Sequence, residues 1–168
     1  ANFKGLAEKG HIVSGNLRGS KADLWDGGHR LPFIVRWPGK VSPGTLCDQL
    51  ICHTDLFASL AEITHQSLPP VAAEDSVSFV PALRGKEIQS TRNGVIHHSI
   101  SGHFAYRRGR WKLLLAKGSG GWTSPKEGEM PTTAAKVQLY DMTADLGEKT
   151  SRHEQKPEGV QELLAQLK

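Results

Sequence analysis

The stretch Leu17–Lys40, LRGSKADLWDGGHRLPFIVRWPGK, decides how the chain is read. It joins a lysine on a small-residue loop, Gly19-Ser20-Lys21, to the turn Trp25-Asp26-Gly27-Gly28-His29-Arg30. Pro32 then leads into the apolar run Phe33-Ile34-Val35. Strands of parallel α/β sheets carry functional loops at their edges, and this stretch has the form of such a loop followed by such a strand. The two glycines allow a turn or a close backbone approach that a Cβ would block. Lys21 and Arg30 place cations beside that turn, where an anion could be held. A carboxylate–guanidinium pair between Asp26 and Arg30 would lock the turn.

The run Leu-Arg-Gly-x-Lys-x-x-x-Trp-Asp-Gly-Gly-His-Arg-x-Pro-Phe-Ile-Val-Arg-Trp-Pro-Gly-Lys resembles the C-terminal part of the type I sulfatases, the arylsulfatase family. The likeness continues through Asp48-Gln49-Leu50-Ile51-Cys52-His53-Thr54-Asp55-Leu56 and returns at Gln138-Leu139-Tyr140-Asp141. It implies an α/β fold: the end of an alkaline-phosphatase-like domain, over residues 1–70, followed by a small α+β subdomain over residues 71–168. That subdomain would hold a roughly four-stranded antiparallel sheet and a C-terminal helix. The resemblance also implies a sulfuric ester hydrolase in which Lys21 contacts the sulfate. Its partner would be a sulfated small molecule or a sulfated glycan, and its location periplasmic or secreted.

The family's Cys/Ser-x-Pro-x-Arg motif, source of the formylglycine nucleophile, has no match here: Cys47-Asp-Gln-Leu-Ile and Cys52-His-Thr-Asp-Leu both differ. The calcium ligands of the family also have no counterpart. The resemblance therefore implies that calcium and formylglycine belong to an upstream catalytic portion missing from this chain. The fragment itself would bind neither and would be inactive alone. A related phosphate or phosphonate ester hydrolase is the neighbouring alternative. A stand-alone anion- or glycan-binding module is the alternative from another class.

Composition sets the remaining bounds. The chain has 168 residues, 38% hydrophobic and 23% charged, which suits one globular domain or two small lobes. No apolar run approaches the roughly 18 residues needed to span a membrane, and no signal peptide is visible at the N-terminus. Residues 1–74 balance seven basic against seven acidic residues, so the net charge of +4 comes from residues 75–168. Arg107, Arg108, Arg110 and Lys112 concentrate that charge, which fits either an anionic partner or a solvated hairpin turn. No nucleic-acid-binding motif accompanies them. Cys47 and Cys52, five apart on one segment, read as reduced and partly buried.

Along the chain, a short helical turn is expected at 6–9 and strands at 33–37 and 47–52. A helix should run from an N-cap at Thr54 to about Thr64, burying Leu56, Phe57, Leu60, Ala61 and Ile63. Pro69-Pro70 favours extended backbone. A short helix at 79–84 would have Pro81 in its first turn and stop at Gly85. Strands are expected at 94–100, 104–108, 110–116 and 137–140, with a tight turn at Arg108-Gly109. Residues 117–136 form a long loop, functional or mobile. A helix opens at Pro157, with Val160, Leu163, Leu164 and Leu167 at helical spacing.

His97, His98 and His103 are the densest histidine group, but neighbouring strand positions face opposite sides, so 97 and 98 cannot share one site. No zinc-type spacing links these residues to Cys52 or His53, so no metal site is expected. His11, His29, His97, His98, Arg107 and Trp122 are the candidate substrate-binding residues around Lys21.

Overall fold

A computed structural model describes residues 3–69, 71–89 and 92–167. Pro70 of the Pro69-Pro70 pair lies outside them. In chain order the elements are helices α1 (Phe3–Glu8), α2 (Asp26–His29), α3 (Asp55–Ile63) and α4 (Val80–Leu83), then strands β1 (Val95–His98), β2 (Phe104–Arg108), β3 (Trp111–Leu114) and β4 (Gln138–Asp141), and helix α5 (Pro157–Ala165). The chain forms two compact units, Ala1–Leu31 with Ile96–Lys168, and Pro32–Val95. This division cuts across residue 70, because residues 17–31 pack on the sheet built from the C-terminal half.

In the first unit the strands follow one another in sheet order β1-β2-β3-β4, and β2/β3 and β3/β4 are antiparallel. Pairs such as Tyr106↔Leu113 and Leu113↔Leu139 set the register. Strand side chains alternate between faces, so each face can be read from the register. Tyr106, Leu113 and Leu139 meet Val160 and Leu163 of α5 on one face. Ala105, Leu114 and Tyr140 meet Leu24 and Trp25 on the other. Both faces are covered, which is why Trp111-Lys-Leu-Leu-Leu115 is so apolar. The residues 117–136 are tied down rather than loose: the Glu127 carboxylate accepts the Lys117 and Gly118 N–H groups, and the Gln138 amide donates to the Ala116 and Gly118 carbonyls.

The second unit departs further from expectation. Neither 33–37 nor 47–52 forms a strand among the described residues. A strand exists only as one side of a hydrogen-bonded ladder, and no described segment pairs with either run. Ile34 is consequently 89% and Leu46 98% exposed. Helix α3 buries Asp55, Ser59 and Ala61, whereas Leu56, Phe57 and Leu60 are exposed. Thr54 precedes it without a side-chain cap. Its neighbour Asp55 organises this unit instead. The Asp55 carboxylate accepts the Cys52 and Val77 N–H groups and pairs with Arg92 at 2.7 Å. Ser59 Oγ, one helical turn on, accepts the Phe79 N–H at 2.9 Å and so sets α4 against α3. Gly85, at φ +70°, ends the α4 turn as its sequence position suggested. Both cysteines are free, with Cys47 exposed rather than partly buried.

Candidate functional site

Residues 17–31 lie on the face of the sheet that also presents Arg107, Lys112, Gln138 and Tyr140. The diglycine explains how they lie so close. A Cβ on Gly27 would meet the Gly19 carbonyl at 2.3 Å, and one on Gly28 would meet the Asp23 carbonyl at 2.4 Å. Helix α2 therefore sits directly against the 18–23 loop, and only glycine fits at the contact. Arg18 closes the other side. Its guanidinium stacks 3.7 Å from the Trp25 ring centroid and donates to the Glu148 carbonyl at 2.7 Å. The Trp25 indole N–H donates to Gln138.

Beneath the turn is a buried ionic group. Lys112 is 0% exposed, with its Nζ 2.7 Å from Asp26 Oδ1 and 2.8 Å from Glu148 Oε1. Glu148 Oε2 also accepts the Asp26 backbone N–H at 2.5 Å. Arg107 lies 3.6 Å from Asp26 Oδ2, nearer than Arg30 at 4.0 Å. The turn is thus locked mainly by Lys112 and Arg107, with the expected Arg30 contact peripheral. Burial alone would raise the Asp26 carboxyl, but the adjoining Lys112 charge and hydrogen bond hold it below the usual range. For Glu148 burial dominates and pushes the carboxyl up. The His29 and His97 rings lie with centroids 3.9 Å apart and planes tilted by 47°, beside this group. Burial, followed by the nearby Lys112 charge, lowers His29 to about 4; burial, followed by His29, lowers His97 to about 3. Both rings are neutral at pH 7.

Lys21 is different from every cation just named. It is exposed, and its ammonium has no hydrogen-bonding or ionic partner among the described residues. Its loop is nevertheless fixed. The Asp23 carboxylate, 0% exposed, accepts the Ser20 N–H at 2.8 Å and the Trp122 and Thr123 N–H groups at 2.8 and 3.0 Å. The Leu24 N–H donates to the Ser119 carbonyl, and the Ile100 N–H to that of Ala22. Trp122, anchored this way, remains 55% exposed.

Of the other candidates, His29, His97 and Arg107 are turned inward onto the ionic group. The His97 ring lies 3.3 Å from the Leu24 carbonyl, through Nε2. His98 faces the opposite way, exposed, against the Ser99 carbonyl and edge-on to Phe104. His11 is exposed, and its side chain bonds to nothing among the described residues. The geometry thus ties the loops that carry Lys21 and Trp122 to one another through Asp23, and gathers His29, His97 and Arg107 around the buried ionic group. Asp23, Lys112 and Glu148 escaped sequence reasoning. Only Lys112 left a signal, a single cation in the apolar run Trp-Lys-Leu-Leu-Leu.

The hairpin cations are committed internally as well. Arg108 pairs with Glu162 at 2.9 Å, and Arg110 makes a two-pronged pair with Asp141. Among the described residues no group of three or more histidine, cysteine or carboxylate side chains is arranged to hold a metal ion. The Asp23 carboxylate is occupied by three N–H groups and those of Asp26 and Glu148 face the Lys112 ammonium, so the residues present do not fit a calcium site.

No protein-family model matches the chain. It is 37% identical over 157 residues to an N-acetylgalactosamine-6-O-sulfatase of Bacteroides thetaiotaomicron, spanning 92% of this chain and 30% of that protein. Arylsulfatase A of Bos taurus is 30% identical over 166 residues, covering 92% of this chain and 32% of that one. A solved structure described with the metabolism of multiple glycosaminoglycans by Bacteroides thetaiotaomicron superposes with a TM-score of 0.79 at 35% identity, over 95% of this chain and 33% of the other. In sequence and in fold the chain belongs with the sulfatase family, whose alkaline-phosphatase-like architecture it matches in part. It spans about a third of the length of these relatives.

Proposed function

We propose that the chain is the C-terminal portion of a sulfatase acting on a sulfated saccharide or small molecule, and that Lys21 is its sulfate-binding cation. The observation that carries this is the contrast at one turn. Arg107, Arg108, Arg110 and Lys112 all have internal carboxylate partners, while Lys21 is held on a fixed backbone with its ammonium free. A cation kept in place without a partner is preorganised for an external anion. There it would donate to a sulfate oxygen and stabilise the negative charge that develops on the ester. Trp122 would form the adjoining wall against the sugar or aryl ring, with the exposed His11 at its margin and His29, His97 and Arg107 supporting it from below, while His98 faces away.

Calcium and formylglycine would come from residues outside this chain. In the whole protein, residues 1–70 would complete the α/β catalytic domain, and 71–168 would form the subdomain that walls the site. The protein would act in the periplasm or outside the cell; no helix among the described residues is long and apolar enough to cross a membrane. The sulfated-saccharide assignment draws support from the name of the Bacteroides relative at 37% identity. A phosphate- or phosphonate-ester hydrolase would use the same lysine. A glycan-binding module built on the Arg107–Lys112 hairpin is disfavoured, since that hairpin's charges are already neutralised.

The test is Lys21→Ala in the intact protein. Turnover of N-acetylgalactosamine 6-sulfate should fall by about 10²–10³ in kcat/KM, with folding stability changed by less than about 0.5 kcal/mol. Unchanged turnover would overturn the assignment. So would hydrolysis of an aryl sulfate by the 168-residue chain alone.

A further inference from the structure

The Lys21 loop is strained and tied at the same place. Ala22 sits at φ 89°, a left-handed conformation that is unfavourable for an alanine. Such backbone persists only where surrounding contacts over-determine it. Here the contacts come from Asp23 and from the 119–123 segment. Asp23 Oδ2 takes the N–H of Ser20, immediately before Lys21, while Oδ1 takes those of Trp122 and Thr123. The Ser20 and Thr123 hydroxyls meet at 3.1 Å. Gly121 lacks the Cβ that would strike the Ala22 carbonyl at 2.4 Å and Asp23 Oδ1 at 2.6 Å. A Cβ on Gly19 would meet Asp23 Oδ2 at 2.9 Å. One fully buried carboxylate thus joins a lysine loop and a tryptophan loop about a hundred residues apart in the chain. The two side chains those loops carry outward, Lys21 and Trp122, are both exposed.

We propose that Asp23, with the Ser20–Thr123 hydroxyl pair, is the positioning element that fixes Lys21 and Trp122 as one subsite, so that the anion and the ring bearing it are recognised together. The proposal rests on the assignment of Lys21 to sulfate binding. A buried carboxylate accepting three backbone N–H groups needs no function to be stable, but its placement decides which two exposed side chains can act jointly. Neutralising it weakens charge-assisted hydrogen bonds on both loops at once. The spacing of Lys21 and Trp122 then loosens, while Lys21 itself stays.

The experiment uses the intact protein with two probes, N-acetylgalactosamine 6-sulfate and 4-nitrophenyl sulfate. Asp23→Asn should lower kcat/KM for the sugar sulfate on the order of tenfold, mainly through KM, and lower it less for the aryl sulfate. In the Asp23→Asn protein, Trp122→Ala should add no further loss on the sugar sulfate, although it costs several-fold when Asp23 is present. Gly121→Ala, which forces the same loops apart without altering charge, should reproduce the pattern. Thr123→Val keeps the shape and removes only the hydroxyl; should Asp23→Asn fail to fold, this variant must still raise KM for the sugar sulfate more than for the aryl sulfate. The proposal is overturned if Asp23→Asn folds and turns over normally. It is equally overturned if Trp122→Ala costs the same with and without Asp23, since that outcome describes a purely structural carboxylate. If Lys21→Ala leaves turnover unchanged while Asp23→Asn lowers it, the sulfate assignment fails instead.

Discussion

Residues 17–31 and residues 32–52 are adjacent in the chain and similarly punctuated by aliphatic and aromatic side chains, yet they end in opposite states. In the first, Leu24 and Trp25 are essentially inaccessible; in the second, Ile34 and Leu46 are almost wholly exposed. The difference lies in the partner available to each. Residues 17–31 find a ready sheet face carrying Lys112, Arg107 and Gln138, and settle on it through Asp26, Gly27 and Trp25. The 33–37 run carries apolar side chains suited to burial but finds no ladder to join. Apolar character states what a segment would gain by burial, and a complementary surface decides whether burial happens.

That comparison can be broken most sharply at the ionic group. Lys112→Ala leaves Glu148 buried without a cation and Asp26 with only the more distant Arg107 and Arg30, and should cost about 3–5 kcal/mol of stability in denaturant unfolding. A much smaller loss would show that residues 17–31 are held by apolar packing alone. In the second unit, Arg92→Ala removes the partner of Asp55, but the carboxylate keeps two backbone N–H donors. The expected loss is about 2–3 kcal/mol, below that for Lys112.

Acid should act mainly on the first unit. His29 and His97 bind a proton more weakly folded than unfolded, so the unfolded chain takes up more protons as pH falls below about 6.5. Stability should therefore drop on going from pH 6.5 to 5.5, by about 2 kcal/mol for the pair, and continue falling towards pH 4. Unfolding curves of a His29→Gln/His97→Gln double variant should be flatter over that window. The smallest effect belongs to the exposed run: Ile34→Ser or Leu46→Ser should change the stability of the 168-residue chain by less than about 0.5 kcal/mol. A larger loss from the same substitutions in the intact protein would show that the run is covered there.

Local features of this fold were legible in the sequence wherever the physics is local. Gly27 and Gly28 announced a close backbone approach, and both make one. The spacing of Val160, Leu163 and Leu164 marked α5, and each segment read as a strand around the Arg108-Gly109 turn contains one. What stayed hidden depends on groups far apart in the chain. Asp23 looks like any loop aspartate until the Trp122 and Thr123 N–H groups arrive. Lys112 looked like part of a solvated basic hairpin, because its two carboxylates lie in distant segments. Helix α3 misled for a related reason: its apolar stripe suggested the buried face, but the Asp55 and Ser59 hydrogen bonds turned a polar side inward. At the candidate site, Lys21 was the residue that sequence pattern singled out, while the device holding it was invisible there.

The placement of Trp25 also makes the chain its own optical probe. Its indole is enclosed, stacked under a guanidinium and hydrogen-bonded to Gln138, whereas Trp122 projects into solvent at the opposite end of the same tether. An aqueous quencher such as iodide would reach Trp122 directly and Trp25 only after the turn has opened. Emission from these two rings, isolated from that of Trp37 and Trp111 by Trp→Phe replacements, would therefore report occupancy of the exposed edge and integrity of the buried turn in one cuvette.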